Sequence, residues 1–305
     1  MTAPATRPAT EDERLGARRL GRVSESVHSV SYYGREIHEL TDRSRVDWKG
    51  YKSWWQAYFA YRAAPLGAIG EKTATAIFYN FAPRMVARSI PQVWEFAGPA
   101  ESMTRRDELV DRALVRTLGP MTGAPNTLET ADLLRSAMAD VDVVGRPLFA
   151  AHMELPWPDE PHLAVWHGCT LLRELRGDSH IVALTSAEID GCQSHLLMTA
   201  QGTGNKATIQ KIRGWNDAEW ETAAASLQAR GWLTAEGSYT DAGRAARRDV
   251  ERHTDRMASR PVRALGEVRL DRLEELLAEV VRTVMAAGEV PGVWPPPDLT
   301  SVGDG

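Results

Sequence analysis

One stretch, residues 213–247, restricts the fold of this chain more than any other part: RGWNDAEWETAAASLQARGWLTAEGSYTDAGRAAR. Asn216 is a good helix cap and Glu219 follows it by three positions, which is the spacing of a capping box. Apolar residues then recur at steps of three and four up to Gly231, which suits a helix end: Trp220, Ala224 and Leu227. Glu236 and Gly237 can turn a small hairpin. The stretch therefore predicts a helix, two short strands and a second helix.

Apolar residues at helical spacing also dominate most of the remaining chain. The segment LAVWHGCTLLRELRGDSHIVALTSAEI predicts a helix, a tight turn at RGDS and another helix capped by Asp178 or Ser179. We predict a mainly α protein with four parts: a disordered tail at 1–12, a helical domain with an aromatic pocket at 13–160, the domain that contains the hairpin at 161–286, and a C-terminal tail at 287–305.

The charge and the cysteine content exclude several classes of protein. The 41 acidic residues outnumber the 36 Lys and Arg, so a net charge of −5 gives no general attraction to nucleic acid. Cys169 and Cys192 form no C-x-x-C pair, which indicates a reducing compartment and no structural zinc. No apolar run approaches the roughly 18 residues of a membrane span, and MTAPATRPATEDER contains no signal-peptide core. We expect a cytoplasmic protein without membrane contact.

Several motifs resemble those of known proteins. L-x-x-R-G-W-L before the hairpin and Y-T-D-A-G-R after it resemble the MarR-like winged helix-turn-helix group. Over about residues 15–280, segments such as YFAYRAAPLG, ATAIFYNFAPRMVARSIPQVW and PWPDEPHLAVWHGCTLLRELRGDSH resemble an actinobacterial family of helix-turn-helix proteins. The resemblance implies a winged helix with a two-stranded wing and a regulatory function, and it supplies no substrate and no catalytic residue. A weaker likeness between PLGAIGEKTATAIFYNFAPRMV and NKATIQKIRGWNDAEWETAA predicts two related winged-helix units.

The helix that begins at Asp217 would read DNA in a winged helix, yet its first turns are acidic. Asp217, Glu219 and Glu221 repel phosphates, and the wing tip AEGSY has no Lys or Arg. We therefore expect weak or no DNA binding through this helix and favour a packing or dimerisation role. DNA binding by another surface remains an alternative, with these basic residues nearby: Lys206, Lys211, Arg213, Arg244, Arg247 and Arg248.

Aromatic side chains are concentrated in two neighbouring segments of the amino-terminal half: Trp48, Tyr51, Trp54, Trp55, Tyr58, Phe59, Tyr61, Phe78, Tyr79 and Phe81. They form either a core of large rings or the lining of a pocket for a flat, apolar ligand. The Tyr and Trp among them carry polar groups that need partners, which favours a mixture of both. The sequence leaves the two interpretations open.

The segment WHGCTLLRELRGDSH brings two His, two Arg and one Asp close together: His167, Arg173, Arg176, Asp178 and His180. In a structural interpretation, Asp178 caps a helix and pairs with Arg173 or Arg176. In a functional interpretation, His167 or His180 moves protons or binds a ligand. His162 and His167 are five positions apart, without an H-E-x-x-H motif or a Cys pair, so we expect no metal.

The leading hypothesis is a small-molecule-binding winged-helix protein that acts as a ligand-responsive transcriptional regulator. We expect a small apolar or aromatic ligand, no cofactor, and these binding residues: Trp54, Trp55, Tyr58, Arg62, Tyr79, His167, Arg173 and His28. The alternative is an enzyme of specialised metabolism that uses the same pocket, with His167 and His180 as catalytic candidates. A third hypothesis is a structural or partner-binding protein. A homodimer is compatible with each of them.

Overall fold

The computed structural model describes residues 7–37 and 53–290. Within these ranges the helices are α1 (Glu11–His28), α2 (Val30–Tyr33), α3 (Trp54–Ala63), α4 (Glu71–Ile77), α5 (Pro83–Ala87), α6 (Pro99–Leu118), α7 (Pro125–Met138), α8 (Pro147–Met153), α9 (Pro161–Ser186), α10 (Gly191–Ala200), α11 (Lys206–Arg213), α12 (Asp217–Ala229), α13 (Asp241–Met257), α14 (Arg260–Leu265) and α15 (Glu267–Ala286). The predicted mainly α class is confirmed. None of the described helices is both long and apolar enough to cross a bilayer. Trp48 and Tyr51 lie outside the described residues.

The central helix of the fold is α9. It has 26 residues, so it is about 39 Å long, and it packs against α1, α7, α8 and α13. Its amino-terminal part contributes Val165, Leu171 and Leu175 to the main helical core, whereas Ala183 and Leu184 belong to a second core formed with α10–α12. This one helix therefore connects the bundle to the helices that follow it.

The prediction that RGDS turns between two helices is wrong, because α9 runs through Gly177 and Asp178 without a break. A glycine inside a helix costs about 1 kcal/mol, which is less than the roughly 1.5–3 kcal/mol that a single fully buried Leu contributes. Asp178 does not cap α9. Its Oδ2 instead accepts a hydrogen bond of 2.9 Å from the amide of Phe149, in the first turn of α8.

Two further cores flank the main bundle. The first, here called the aromatic cluster, is formed by α3–α5 with part of α2, and it contains Tyr32, Tyr58, Phe59, Tyr61, Phe78 and Phe81. Its rings meet edge to face, as Phe59 and Phe78 do with centroids 4.9 Å apart and planes at 70°. The second belongs to the three-helix unit α10–α12 and includes Leu196, Ile209, Trp220 and Leu227.

The predicted two-stranded wing after α12 is wrong. Leu233 and Tyr239 form one isolated antiparallel bridge, and neither belongs to a strand. The amide of Thr234 donates to the carbonyl of Ser238 at 2.8 Å, which closes the turn directly inside that bridge. Thr240 already caps α13, so no residues remain to lengthen the ladder. A tight turn therefore replaces the wing, and the fold is not a winged helix.

The predicted second winged-helix unit is also wrong. The corresponding segment contains α4 and α5, which have 7 and 5 residues, and no strand lies in the described residues around them. Side chains of this segment, Phe78 and Met85 among them, pack into the aromatic cluster. The likeness between the two segments reflects a loop of small residues followed by short helices, a pattern that is common to many helical folds.

Candidate functional site

Arg62 and Glu174 form an ion pair in the interior, between α3 and α9. Nη2 of Arg62 lies 2.9 Å from Oε2 and 3.1 Å from Oε1 of Glu174, and Nε lies 3.2 Å from Oε1. Only 8% of the Arg62 side chain and 1% of the Glu174 side chain are exposed. Arg173 donates to Glu174 at 2.9 Å and to Glu25 at 3.1 Å. Two guanidinium groups therefore hold one buried carboxylate.

Tyr58 extends this network toward the aromatic cluster. Nη1 of Arg62 donates to the Tyr58 hydroxyl oxygen at 2.9 Å. Burial raises the pKa of this phenol, but the positive charges of Arg62, Arg213 and Arg173 outweigh burial and bring the pKa below its ordinary value. Burial also opposes ionisation of Glu174, yet Arg173 and Arg62 hold the pKa of that carboxyl well below its usual range. The phenol and the carboxylate thus lie in a strongly positive environment.

A chain of hydrogen bonds runs from the Tyr32 hydroxyl through His28 and Thr170, and the donor of each bond can be assigned. Thr170 donates its hydroxyl hydrogen to the carbonyl of Trp166 at 2.9 Å, so its oxygen accepts from Nδ1 of His28 at 3.0 Å. Nε2 of His28 then accepts from the Tyr32 hydroxyl at 2.6 Å. Burial, with Arg173 nearby, lowers the pKa of His28 well below its usual value, so the ring is neutral. We define the polar cluster as His28, Tyr32, Tyr58, Arg62, Arg173 and Glu174.

A narrow polar space borders the polar cluster, with Arg62, Arg106, His28, His152, Tyr32 and Trp166 among its walls. This space is partly open to solvent, and nowhere is it wide enough to hold a water molecule. Nδ1 of His152 donates to the carbonyl of Leu148 at 2.8 Å, and burial lowers the pKa of His152 to about 4. The neutral ring therefore keeps Nε2 as a hydrogen-bond acceptor. A ligand can enter this space only if side chains of the walls move.

The structure brings four of the predicted ligand-binding residues together in the polar cluster: His28, Tyr58, Arg62 and Arg173. The rings of Trp54 and Trp55 are half-buried beside Tyr58. The Trp54 ring stacks on the Tyr58 ring with centroids 5.4 Å apart, and its Nε1 donates to the carbonyl of Tyr32 at 2.8 Å. The two indoles and the buried charges thus lie next to one another.

The two remaining predicted binding residues, Tyr79 and His167, and the catalytic candidate His180 lie apart from the polar cluster. The Tyr79 hydroxyl donates to the carbonyl of Ile189, just before α10. His167 packs edge-on against Trp157 with centroids 4.9 Å apart, and its Nε2 has no partner among the described residues. Nδ1 of His180 lies 2.9 Å from Oγ1 of Thr254. Burial lowers the pKa of His167 to about 3 and that of His180 to about 4, so both rings are neutral near pH 7.

Arg176 and Asp178 do not pair with each other, and each contacts a neighbouring helix. Arg176 lies 2.5 Å from Asp255 and 2.7 Å from Glu251, which joins α9 to α13. Asp178 accepts its hydrogen bond from α8 and forms no ion pair with a described residue. Burial raises the pKa of Asp178 to about 7. The predicted pairing of Asp178 with Arg173 or Arg176 is therefore wrong.

The sequence analysis missed several residues of the site: Glu174, Tyr32, Thr170, Arg106 and His152. A signal existed for Glu174, because it follows Leu171 by three positions and precedes Leu175 by one, on the buried side of a helix. An acid at such a position predicts a buried cation nearby. The other four residues have no comparable local signal, since their partners are distant in the chain.

The three-helix unit contains two helices joined by a short turn. Only three residues, Gly214, Trp215 and Asn216, separate α11 from α12, and Gly214 has the left-handed φ of 82° that a sharp turn requires. Asn216 accepts from the amide of Glu219 at 2.9 Å, and the Glu219 carboxylate accepts from the amide of Asn216 at 2.9 Å. The predicted capping box is confirmed. A turn of three or four residues between two such helices is typical of helix-turn-helix units.

A protein-family model described as a helix-turn-helix family matches residues 17–291. The chain belongs to this helix-turn-helix family. The match spans the bundle as well as the three-helix unit, so both are parts of the family fold. No curated protein and no solved structure matches the chain. The likeness to the MarR-like group rests on sequence motifs alone.

In this helix-turn-helix protein, α12 follows the turn and corresponds to the helix that reads DNA in such units. Asp217, Ala218, Glu221 and Thr222 are exposed on it, and Asp217–Ala229 contains no Lys or Arg. One Lys of α11 is paired with this acid, since Nζ of Lys206 lies 2.9 Å from Oδ1 of Asp217. The surface that α12 offers to a partner is therefore acidic at its beginning and neutral beyond.

Most arginines around the turn that replaces the wing already have partners in the helix-turn-helix protein. The guanidinium of Arg230 lies 3.6 Å from the centroid of the Trp232 ring and donates to two carbonyls before α10. Two others pair with acids of their own helix: Arg244 with Asp241 at 2.7 Å and Arg247 with Glu251 at 2.6 Å. Arg248 is exposed and forms no ion pair with a described residue.

Proposed function

We propose that this chain is a ligand-responsive helix-turn-helix regulator that binds a small, largely apolar or aromatic molecule at the polar cluster and the indole rings beside it. The observation that carries the proposal is the buried Arg62–Glu174 pair with Tyr58 at its edge. Removing charges from water costs several kcal/mol per ion, and buried pairs add little net stability. Buried charges with perturbed pKa values beside aromatic rings are typical of binding sites.

A shared helix supports the proposed response. Glu174 and Arg173 lie near the middle of α9, and Ala183 and Leu184 of the same helix pack in the core of the three-helix unit. About ten residues of helix, or roughly 15 Å, separate the two sites. A ligand that displaces α9 at the polar cluster would therefore change the support of α10 and α12.

We further propose that α12 contributes weak or no direct DNA binding. Lys and Arg provide most of the nonspecific affinity of proteins for DNA, because they release the counterions of the phosphates. The first turns of α12 offer Asp217, Glu219 and Glu221 instead. Contact with DNA, if regulation uses it, then depends on other exposed basic residues such as Lys211 and Arg248.

An enzyme is the second candidate, and Tyr58 is the observation that favours it. A phenol whose pKa is lowered by neighbouring guanidinium groups can exchange a proton with a bound molecule. His167 and His180 do not support this role, because pKa values of about 3 and about 4 make both rings weak bases that carry no proton to donate near pH 7. Turnover of a bound molecule would distinguish the enzyme from the sensor.

Ligand binding can be tested with phenol, benzoate and indole as probes, followed by thermal unfolding and by tryptophan fluorescence. A ligand at 100 times its Kd stabilises the folded state by about 2.7 kcal/mol, which for a chain of 305 residues corresponds to a rise in Tm of about 4 °C. We expect at least one probe to raise Tm and to change the emission of the half-buried Trp54 and Trp55.

Tyr58→Phe locates the site. In the proposed site the Tyr58 hydroxyl also bonds the probe, and the loss of such a bond beside charged groups costs about 1.5–3 kcal/mol, so the variant should bind the effective probe at least tenfold more weakly. The matched control is Tyr239→Phe, which removes a hydroxyl bonded at 2.6 Å to the carbonyl of Leu197 in the three-helix unit. Wild-type affinity in Tyr58→Phe, or no response to any of the three probes, would show that the polar cluster is not this ligand site.

A further inference from the structure

Residues 79–85, here called the docking segment, bind the turn of the three-helix unit. The carbonyl of Asn80 accepts from Nε1 of Trp215 at 3.0 Å and from Nε2 of His195 at 2.9 Å. The amide of Ala82 donates to the carbonyl of Arg213 at 2.9 Å. Arg213 ends α11 and Trp215 lies in the turn that follows, so these bonds fix the docking segment against the junction of α11 and α12.

Arg84 extends the contact to the first turn of α12. Its guanidinium donates to both carboxylate oxygens of Glu219, at 2.6 and 2.7 Å, and also to the carbonyl of Gly214. Glu219 is the third residue of α12 and a member of its capping box. The leading end of the helix is therefore bound by α5, which lies in the amino-terminal half of the chain.

Two glycines allow the backbones to approach this closely. A Cβ atom on Gly191, the first residue of α10, would lie 2.1 Å from the carbonyl oxygen of Tyr79. A Cβ atom on Gly214 would lie 2.9 Å from Cβ of Met85. A side chain at either position would push the docking segment away from the three-helix unit.

The docking segment also belongs to the aromatic cluster. The ring of Phe81 lies 5.7 Å from that of Tyr58, centroid to centroid. The guanidinium of Arg213 lies 4.4 Å from the centroid of the same Phe81 ring. One side chain thus contacts both the polar cluster and the end of α11.

We propose that the docking segment is an autoinhibitory contact: while it is bound, α12 cannot enter a DNA groove, and its release frees the leading turn. In helix-turn-helix proteins, the N-terminal residues of the reading helix contact base edges in the major groove. That groove is about 12 Å wide, and one helix with side chains is about 10–12 Å across. A groove of this width has no room for the docking segment beside the first turn of α12, to which Arg84 is bound. The inference concerns α12 itself and does not depend on a ligand at the polar cluster.

Gly191→Ala tests the docking contact. Alanine suits the first turn of a helix, so the new methyl group should disturb only the docking segment that it meets. We expect amide hydrogen exchange of residues 213–220 to become at least tenfold faster, with α1 and α15 unchanged. Gly177→Ala in α9 is the matched control, since its nearest contacts would be an ordinary 3.7 Å. Unchanged exchange in Gly191→Ala would overturn the docking.

Arg84→Ala tests the same contact without adding atoms, in case Gly191→Ala does not fold. It removes the bonds to Glu219 and Gly214 and should accelerate exchange of residues 214–220 at least threefold. Arg88→Ala is the control, because Arg88 is exposed at the opposite end of α5 and forms no ion pair with a described residue. Equal exchange in the two variants would contradict the proposal.

A variant with fewer acidic residues on α12 separates the access of this helix to a DNA groove from its charge repulsion with the phosphates. Asp217→Asn with Glu221→Gln removes acid from the exposed face of α12 and keeps Glu219 for Arg84. We expect the double variant Asp217→Asn/Glu221→Gln to bind a short random-sequence duplex weakly at low salt. Adding Gly191→Ala to it should increase this affinity at least tenfold. Equal affinities would overturn autoinhibition, and they would leave the proposed ligand site at the polar cluster unaffected.

Discussion

Nη2 of Arg62 lies 2.9 Å from Oε2 of Glu174, in a region where 1% of the Glu174 side chain is exposed. The two residues are 112 positions apart in the chain, and their pairing joins α3 to α9. It also holds Tyr58 at the boundary between the aromatic cluster and the main bundle. The proposed ligand site therefore exists only where these two cores meet.

Glu174→Gln should strongly destabilise the protein. The change keeps the shape of the side chain but leaves the guanidinium group of Arg62 buried without a compensating charge, and Arg173 keeps Glu25 alone. Breaking a buried pair in this way costs about 3–5 kcal/mol of the free energy of unfolding, measurable by urea denaturation. Glu275→Gln is the control, since that side chain is 71% exposed and pairs with Arg272 at the surface. A loss of less than about 1 kcal/mol for Glu174→Gln would contradict the buried pair.

The start of α12 shows what the sequence could predict. The capping box of Asn216 and Glu219 depends on two residues three positions apart, so local spacing contains all the necessary information. Four of the six residues of the polar cluster were predicted from the sequence. Tyr58 and Arg62 could be selected because they lie among large rings, whereas Glu174 and Thr170 become site residues only through contacts with distant parts of the chain.

The wing and α9 show where local patterns fail. Glu236 and Gly237 do lie in a turn, as their residue types predict. The predicted strands before and after it are reduced to one bridge, because α13 begins directly after the second. The RGDS segment has the composition of a turn and remains helical because the helix around it is buried. In both cases tertiary packing decides between structures that the local sequence permits equally.

Replacements of His167 should separate a packing role from a ligand-binding role. Its Nε2 has no partner among the described residues, so His167→Leu removes a buried polar atom at little loss of volume. We expect a free energy of unfolding that is unchanged or higher by up to about 1 kcal/mol. His167→Ala opens space beside Trp157 and should lower the free energy of unfolding by about 1–3 kcal/mol. Unchanged probe binding is expected in both variants, and loss of binding in His167→Leu would restore this residue to the site.

Asp178 should make stability depend on pH. Burial raises its pKa to about 7 in the folded state, against about 3.9 in an unfolded chain. Because the pKa of Asp178 is higher in the folded state, folding favours the protonated carboxyl. This contribution to the free energy of unfolding is complete below about pH 4 and is lost as pH rises to about 7. Asp178→Asn cannot ionise, so its stability relative to wild type should increase across that window by on the order of 1–3 kcal/mol. Urea unfolding at several pH values would measure it, with the exposed Asp140→Asn as control. A pH-independent difference would contradict the assignment.

Reversing the charge of α12 should create DNA affinity that the parent protein lacks. Replacing Asp217, Glu219 and Glu221 by Lys puts three cations on the helix and removes the partner of Arg84, which also releases the docking segment. Three phosphate contacts predict a slope of about −2.7 when the logarithm of the affinity is plotted against the logarithm of the salt concentration. Fluorescence anisotropy with a random-sequence duplex at several salt concentrations would measure this slope.

The same charge change elsewhere provides the control for that reversal. Glu267, Asp271 and Glu275 are exposed along α15, one helical turn apart, and their replacement by Lys changes the net charge equally without altering α12. A comparable gain of affinity in this control would assign the effect to net charge rather than to α12. Parent protein that binds a defined operator tightly, and loses that binding when α12 is mutated, would contradict the proposal that its acidic first turns prevent direct DNA reading.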